Sequence, residues 1–195
     1  MQNNNALDLT YAAFYFMRHA QTDWNQKHLF MGWQDIPLNE QGIEQAHEAA
    51  QLLRHEKMTH IISSPLLRAR KTAEIVAQNL HLPLTILQEL KECSWGKYEG
   101  SPINTDLILK WLDGEPLENS ESPEVFEARV MTGFKKAISI KGPVLIIAHG
   151  GVYAALQRIH GWTHTPIKNA ITLYHEPPTN TQSSWSITPL NRSSF

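Results

Sequence analysis

Two short segments of this chain are apolar at every position, and they constrain its fold more than any other feature. Phe14 to Met17 and Val144 to Ala148 offer no polar face to water. Such runs are typical of central strands in a parallel sheet, where helices cover both faces. His60 to Ser63 is a weaker version of the same pattern. Ile171 to His175 and Ser184 to Thr188 predict two further strands.

Helical patterns separate these predicted strands. Asn39 predicts the N-cap of a helix whose apolar residues recur at helical spacing. The pair Ser64-Pro65 predicts the N-cap and first residue of a second helix, which extends to about Leu80. Ser122-Pro123 repeats that pair before a third amphipathic helix. Strands that alternate with helices of this length indicate βαβ units.

The sequence therefore predicts an α/β fold with a mostly parallel central sheet and helices on both faces, a three-layer α/β/α arrangement. Residues 100–121 show weak periodicity, apart from a short helical candidate at Leu107 to Leu112. We expect them to form a small cap insertion over the sheet edge. The 195 residues suit one domain. We expect residues 1–10, which are polar and Asn-rich, to be a flexible N-terminal segment and residues 11–195 to be a single domain.

Charged and polar side chains follow three of the predicted strands. Arg18 and His19 follow the first apolar run, and His149 follows Val144 to Ala148. Arg68 lies one turn into the helix after His60 to Ser63. Ligands of open α/β sheets bind beyond the carboxyl ends of the strands. We therefore expect these two histidines and two arginines to meet at one edge of the sheet.

This set of side chains suits a phosphoryl group. Arginine binds phosphoryl oxygens bidentately and keeps its proton, and neutral imidazole is a competent nucleophile towards phosphorus. A second, protonated imidazole could stabilise the charge of the transition state. The leaving oxygen also needs an acid, which a carboxyl group in a loop over the site would supply. Glu89 and Glu92 both remain candidates for that acid.

Five motifs occur in order between about residue 14 and residue 151. They are Phe16-Met17-Arg18-His19-Ala20-Gln21-Thr22-Asp23-Trp24-Asn25; Gly32-Trp33-x-Asp35-x-Pro37-Leu38 with Gly42 and Gln45-Ala46; Ser63-Ser64-Pro65-Leu66-x-Arg68-Ala69 with Thr72-Ala73; Leu90-x-Glu92 with Gly96 and Glu99-Gly100; and His149-Gly150. Their order and spacing resemble the histidine phosphatase superfamily, the phosphoglycerate-mutase-like enzymes.

The resemblance implies a role for each matching residue. His19 would accept the phosphoryl group, and Glu92 would protonate the leaving group and then take a proton from the attacking water. The residues that would bind the substrate's phosphoryl oxygens are Arg18, Asn25, Arg68, His149, Gln21, Thr22 and Gly150. The resemblance implies a phosphomonoester hydrolase with no cofactor and no metal ion. It also leaves a mutase-type phosphoryl transferase as an alternative.

Departures from the family pattern bear on that alternative. Ala20 replaces the usual glycine after the nucleophile, and Cys93 follows the acid where phosphoglycerate mutases carry an arginine. A mutase must hold further anionic groups of its substrate, which demands cationic side chains. The predicted cover, Cys93 to Glu124, has only Lys97 and Lys110 against seven acids and no arginine. The sequence therefore favours hydrolysis.

Apolar side chains in the cover have two interpretations. They would either contact a partly apolar leaving group or pack the insertion against the domain. The residues concerned are Trp95, Tyr98, Trp111 and Leu112.

Other classes of function fit the sequence less well. A cysteine phosphatase needs Cys-x5-Arg, but Glu99 stands where Cys93 would require the arginine. His160 and His164 have helical ligand spacing, but the glycine between them argues against a helix and a metal site there. A non-catalytic phospho-ligand binding protein would be expected to lack the nucleophile, the acid or the final histidine, and this chain has all three.

Composition limits the partners. A net charge of −2 and a pI of about 6.5 give no basic surface for nucleic acid. The single cysteine excludes an intrachain disulfide, and no apolar segment approaches the roughly 20 residues that span a bilayer. We therefore expect a cytoplasmic protein without nucleic-acid or membrane partners, acting on a small phosphorylated substrate.

Overall fold

A computed structural model describes residues 12–190. Within this range the chain forms six strands and six α-helices. In chain order they are β1 (Phe14–Arg18), α1 (Asp23–Gln26), α2 (Glu40–Leu52), β2 (His60–Ser63), α3 (Leu67–Leu80), β3 (Leu84–Ile86), α4 (Thr105–Leu112), α5 (Pro123–Ile138), β4 (Val144–Ala148), α6 (Gly150–His160), β5 (Thr172–Glu176) and β6 (Ser186–Pro189). The predicted flexible segment at residues 1–10 lies outside the described residues.

All six strands form one mixed sheet with the order β3-β2-β4-β1-β5-β6. The first four strands in that order are parallel, whereas β5 is antiparallel to both β1 and β6. The predicted mostly parallel sheet is therefore confirmed. In the central pair, Phe14 lies opposite Val144 and Arg18 lies opposite Ala148. This register brings the carboxyl ends of β1 and β4 to the same level.

Both faces of the sheet are buried, which explains why its central strands are apolar at every position. Phe14 and Phe16 on β1 pack with α5 and α6 on one face, whereas Tyr15 and Met17 pack with α2 and α3 on the other. Successive side chains of a strand point to opposite faces, so a strand that is buried on both faces needs apolar residues at odd and even positions alike. Helices on both faces confirm the three-layer arrangement.

Two of the three predicted helix starts are correct, and the third is wrong. Asn39 accepts a hydrogen bond from the Gly42 N–H at 2.9 Å and caps α2, and Ser122 caps α5. The helix α3, however, begins at Leu67 and not at Pro65. The hydroxyl of Ser64 lies 2.7 Å from His149 Nε2 instead. The same hydroxyl also accepts from the Leu66 N–H at 3.3 Å, so Ser64 stabilises the turn before α3 and is not its N-cap.

Three elements were absent from the sequence prediction, namely α1, β3 and α6. The helix α6 opens on Gly150-Gly151, two residues that are poor helix formers and typical of a turn. It packs against α5 and β1 and buries Val152, Tyr153 and Leu156. Tertiary burial of this apolar face outweighs the weak local propensity.

The predicted cap contains one helix, α4, with Asn104 as its N-cap. Trp95 and Trp111 form an aromatic ladder between Phe30 and Phe126, with ring centroids 4.7, 5.1 and 6.1 Å apart. Trp111 is buried, and its indole N–H donates to the carbonyl of Glu121 at 2.6 Å. These two tryptophans therefore pack the insertion against the domain.

Within residues 12–190, every helix is too short or too polar to cross a membrane.

Candidate active site

The parallel pairing of β1 and β4 brings His19 and His149 together. Each histidine directly follows its strand, and the His19 N–H donates to the Ala148 carbonyl at 2.9 Å. The two imidazole rings lie with their centroids 5.2 Å apart, and both residues are buried. Residues 130 positions apart in the sequence thus share one pocket at the carboxyl edge of the sheet.

A backbone contact sets the protonation of His19. Its Nδ1 lies 2.8 Å from the Ala20 carbonyl oxygen, which can only accept a hydrogen bond. Nδ1 therefore carries the proton and Nε2 has a free lone pair. Burial lowers the pKa of His19 well below its ordinary value, and the nearby Arg68 and Arg18 lower it further. The imidazole is consequently neutral at physiological pH, which is the nucleophilic form.

Ala20 occupies the position where the family pattern has a glycine, and its methyl group is accommodated inside the protein. The residue is fully buried, and its N–H donates to the Thr72 hydroxyl at 3.1 Å. Its carbonyl is the acceptor that orients His19.

His149 has a lowered pKa like that of His19. Burial lowers its pKa well below the ordinary value, and Arg68 and His19 lower it further. The ring is therefore neutral in the free site, and its protonation in the transition state stays a prediction. Its Nε2 contacts the Ser64 hydroxyl, and its buried Nδ1 has no protein partner among residues 12–190. A bound dianion would favour the charged form of this ring.

Arg18 and Arg68 place two cations beside these rings. Arg18 donates to the Ile167 carbonyl at 3.0 Å, and Arg68 donates to the carbonyls of Gly32 and Gln34 at 2.9 Å. Burial lowers the pKa of both guanidinium groups, to about 10 for Arg68, whereas the charge of Glu92 raises it. Arg68 therefore stays charged at pH 7.

The Nε–H groups of both arginines are buried without a hydrogen-bond partner among residues 12–190. Buried donors of this kind are normally satisfied. Two cationic donors that converge on an otherwise neutral pair of imidazoles therefore form a site for an anion.

The structure distinguishes between the two candidate acids. Glu92 accepts hydrogen bonds from the N–H groups of Cys93 at 2.9 Å and Gly151 at 3.0 Å, at the first turn of α6. Its charge acts on both site arginines. Glu89 instead forms an exposed ion pair with Lys136. Glu92 is thus the carboxylate that lies at the edge of the pocket.

Gly151 is required by this arrangement. A Cβ atom at that position would lie 2.2 Å from Glu92 Oε1, much closer than van der Waals contact. At the neighbouring Gly150, a Cβ atom would lie 3.6 Å from Arg18 Nε, an ordinary contact.

The remaining predicted phosphate ligands lie in the loop after β1. Thr22 is buried and caps α1 with its hydroxyl, while the Asn25 side-chain carbonyl accepts from the Thr22 N–H at 3.1 Å. The Gln21 side-chain carbonyl accepts from the Asn39 amide at 3.1 Å. Gln21 and Thr22 therefore hold the shape of this loop, and their contact with phosphate stays a prediction. A contact of the Asn25 amide with phosphate stays a prediction as well.

Two residues that sequence reasoning missed support the nucleophile and its partner. Ser64 contacts His149, as described above. The Asn169 amide donates to the His19 carbonyl at 2.8 Å and to Asn25 Oδ1 at 3.2 Å. Asn169 stands in a loop 150 positions from His19, so no local pattern could have indicated it.

The family comparison agrees with this geometry. A model of the histidine phosphatase superfamily, branch 1, matches residues 14–185.

The chain belongs to the histidine phosphatase superfamily.

Individual relatives of this superfamily member include both phosphatases and mutases. An uncharacterized phosphatase PhoE of Bacillus subtilis (strain 168) is 36% identical over 148 residues, which are 74% of this chain and 76% of that protein. A probable phosphoglycerate mutase GpmB of Yersinia pestis (strain Pestoides F) is 42% identical over 91 residues, but these are only 47% of this chain and 42% of that protein. The crystal structure of TTHB049 from Thermus thermophilus is 27% identical, with a TM-score of 0.71, covering 84% of this chain and 92% of that one.

Proposed function

We propose that this superfamily member is a metal-independent phosphomonoester hydrolase, which forms a phosphohistidine on His19 and uses Glu92 as general acid and base. One observation carries the proposal. A neutral imidazole with a free Nε2 lies beside two buried guanidinium groups that each have an unpartnered N–H donor. A phosphoryl group satisfies those donors and meets the nucleophile at the same place.

The reaction then has two steps. His19 Nε2 attacks phosphorus, the bond to the leaving oxygen breaks, and the Glu92 carboxyl group gives its proton to that oxygen. Water next attacks the phosphohistidine, the Glu92 carboxylate takes its proton, and the P–N bond breaks to release inorganic phosphate. Arg18, Arg68 and His149 stabilise the charge on the phosphoryl oxygens in both steps.

The charge of the cover supports hydrolysis over mutase chemistry. Of the two lysines between Cys93 and Glu124, Lys97 is paired with Glu118. This leaves few cations there to hold a second anionic group of a substrate. The similarity to a phosphatase over 74% of the chain supports the same choice, because the mutase match covers only 47%.

The wild-type protein is expected to release phosphate from p-nitrophenyl phosphate in EDTA. No step of the proposed mechanism uses a metal ion, so chelation should leave the rate unchanged. Phosphate release and the interconversion of 3- and 2-phosphoglycerate are measured in parallel. Loss of release in EDTA that a divalent cation restores would contradict metal independence, and interconversion without release would support the mutase.

Gly151→Ala is expected to lower kcat/KM for phosphate esters by about 10²-fold, because a shift of roughly 1 Å in a catalytic group can cost that much. The added methyl group cannot fit beside Glu92 Oε1 and must displace the carboxylate. Steady-state kinetics checks the rate, and far-UV circular dichroism checks the fold.

Gly150→Ala provides the comparison, because its methyl group makes only an ordinary contact and leaves the backbone N–H in place. This variant should lose clearly less activity than Gly151→Ala. Equal losses in the two variants would mean that crowding of Glu92 is not the cause.

A further inference from the structure

Arg129 on α5 binds the loop that carries Glu92. All the N–H donors of its guanidinium group make hydrogen bonds. Its Nη1 donates to the carbonyls of Glu89 and Lys91, each at 2.9 Å, and its Nη2 donates to the Glu92 carbonyl at 3.2 Å. Nε and Nη2 also donate to the two carboxylate oxygens of Glu121, at 2.8 and 2.6 Å. These five bonds match the five N–H donors of an arginine.

Glu121 extends this connection to the cover. Its N–H donates to the Ser94 carbonyl at 3.0 Å, and its own carbonyl accepts from the Trp111 indole at 2.6 Å. One guanidinium group therefore ties together α5, the acid-bearing loop and the end of the cap insertion. The pair is largely sequestered from water, with 19% of the Arg129 side chain and 9% of the Glu121 side chain exposed.

The mechanism above does not use Arg129, and its five N–H donors are all occupied by acceptors of this chain. Three of its acceptors are carbonyls of residues 89, 91 and 92, so it fixes the backbone from which the catalytic carboxylate projects. The Trp33 indole donates to the same Glu92 carbonyl at 2.7 Å. Arg129 thus joins this backbone to the Glu121 carboxylate, while the backbone of Glu121 contacts Ser94 and Trp111.

We propose that Arg129 is a positioning residue that holds Glu92 in the orientation for protonating the leaving oxygen, and that Glu121 acts with it. The inference rests on the proposed function, because it assigns Arg129 an effect that acts through Glu92. A lysine keeps the charge but has a single nitrogen, which cannot reach three carbonyls and a bidentate carboxylate at once.

The leaving group of the substrate reports on this role. An alkoxide needs a proton when its bond to phosphorus breaks, whereas p-nitrophenolate leaves readily without one. A misplaced acid therefore slows hydrolysis of an alkyl phosphate more than hydrolysis of p-nitrophenyl phosphate. A variant that merely folds less well loses both activities by the same factor, because the amount of active enzyme cancels in the ratio of the two rates.

The test compares Arg129→Lys with wild type on p-nitrophenyl phosphate and on an alkyl phosphate such as glycerol 2-phosphate. We expect kcat/KM to fall by about 10-fold or more for the alkyl ester and by about threefold or less for the aryl ester. The matched control is Arg158→Lys, because Arg158 on α6 pairs with Glu127 on α5 in a half-exposed ion pair away from the acid loop. Its ratio of rates should equal that of wild type.

A double variant tests whether the effect of Arg129→Lys acts through Glu92. In a Glu92→Gln background the acid is already absent, so Arg129→Lys should not change the ratio further. Equal losses on both substrates in Arg129→Lys would overturn the inference while leaving the proposed hydrolase intact. A further change of the ratio in the Glu92→Gln background would also overturn it. Absence of phosphate release in the wild type would overturn the proposed function, and this inference with it.

Discussion

Replacing His19 with alanine is expected to lower phosphate release by at least about 10³-fold, because loss of a covalent nucleophile removes the reaction path itself. His19 is neutral, carries its proton on Nδ1 and keeps a free lone pair on Nε2, which makes it a competent nucleophile. His149 is also neutral, but its Nε2 is engaged with Ser64. Initial rates with p-nitrophenyl phosphate measure the loss.

Trapping of the intermediate provides the second measurement for this variant. Wild-type protein that is quenched during turnover of a radiolabelled substrate should carry acid-labile, alkali-stable phosphate, as expected for a phosphoramidate. The His19→Ala protein should carry none. His164→Ala, at an exposed position, is the control and should resemble wild type in both measurements. Undiminished turnover by His19→Ala would contradict the proposed mechanism.

Glu92→Gln is expected to lower kcat/KM for an alkyl phosphate by about 10²–10⁴-fold, the usual contribution of general acid–base catalysis. The amide cannot supply the proton that an alkoxide needs. It also turns an NH₂ group towards one of the two backbone N–H groups from which Glu92 now accepts. The value of kcat/KM for p-nitrophenyl phosphate should fall less, because kcat/KM reports the first step and that leaving group does not need the proton. Rates on the two substrates measure the difference.

Glu89→Gln is the matched control for this prediction, because Glu89 was the other candidate acid. Glu89 lies three residues earlier in the same loop and forms an exposed ion pair with Lys136. Exposed pairs contribute about 0–1 kcal/mol to stability, so this variant should fold and turn over like wild type. A larger loss in Glu89→Gln than in Glu92→Gln would reverse the assignment of the acid.

The fold was predictable from the sequence to a large extent, since its central strands are continuous apolar runs. The runs at Phe14 and Val144 require burial on both faces, and only a sheet between two helical layers supplies it. The carboxyl ends of parallel strands meet at one edge, so Arg18, His19 and His149 could be grouped from the residue pattern alone. The helix α6 could not be predicted, because it begins with Gly150-Gly151, a pair that is typical of a turn. Tertiary packing of its apolar face outweighs this weak local helix propensity.

The finer organisation of the site depends on tertiary structure alone. Both candidate acids lie in the same loop, and only the fold directs Glu92 to the arginines and Glu89 to Lys136. The hydroxyl of Ser64 looked like a helix cap but contacts a ring 85 positions away. Arg129 reaches carbonyls 37 to 40 positions away. Sequence patterns record the side of an element that is buried, because burial repeats along the chain. A single hydrogen bond across the fold leaves no such repeat, so its partner is decided only when the layers pack.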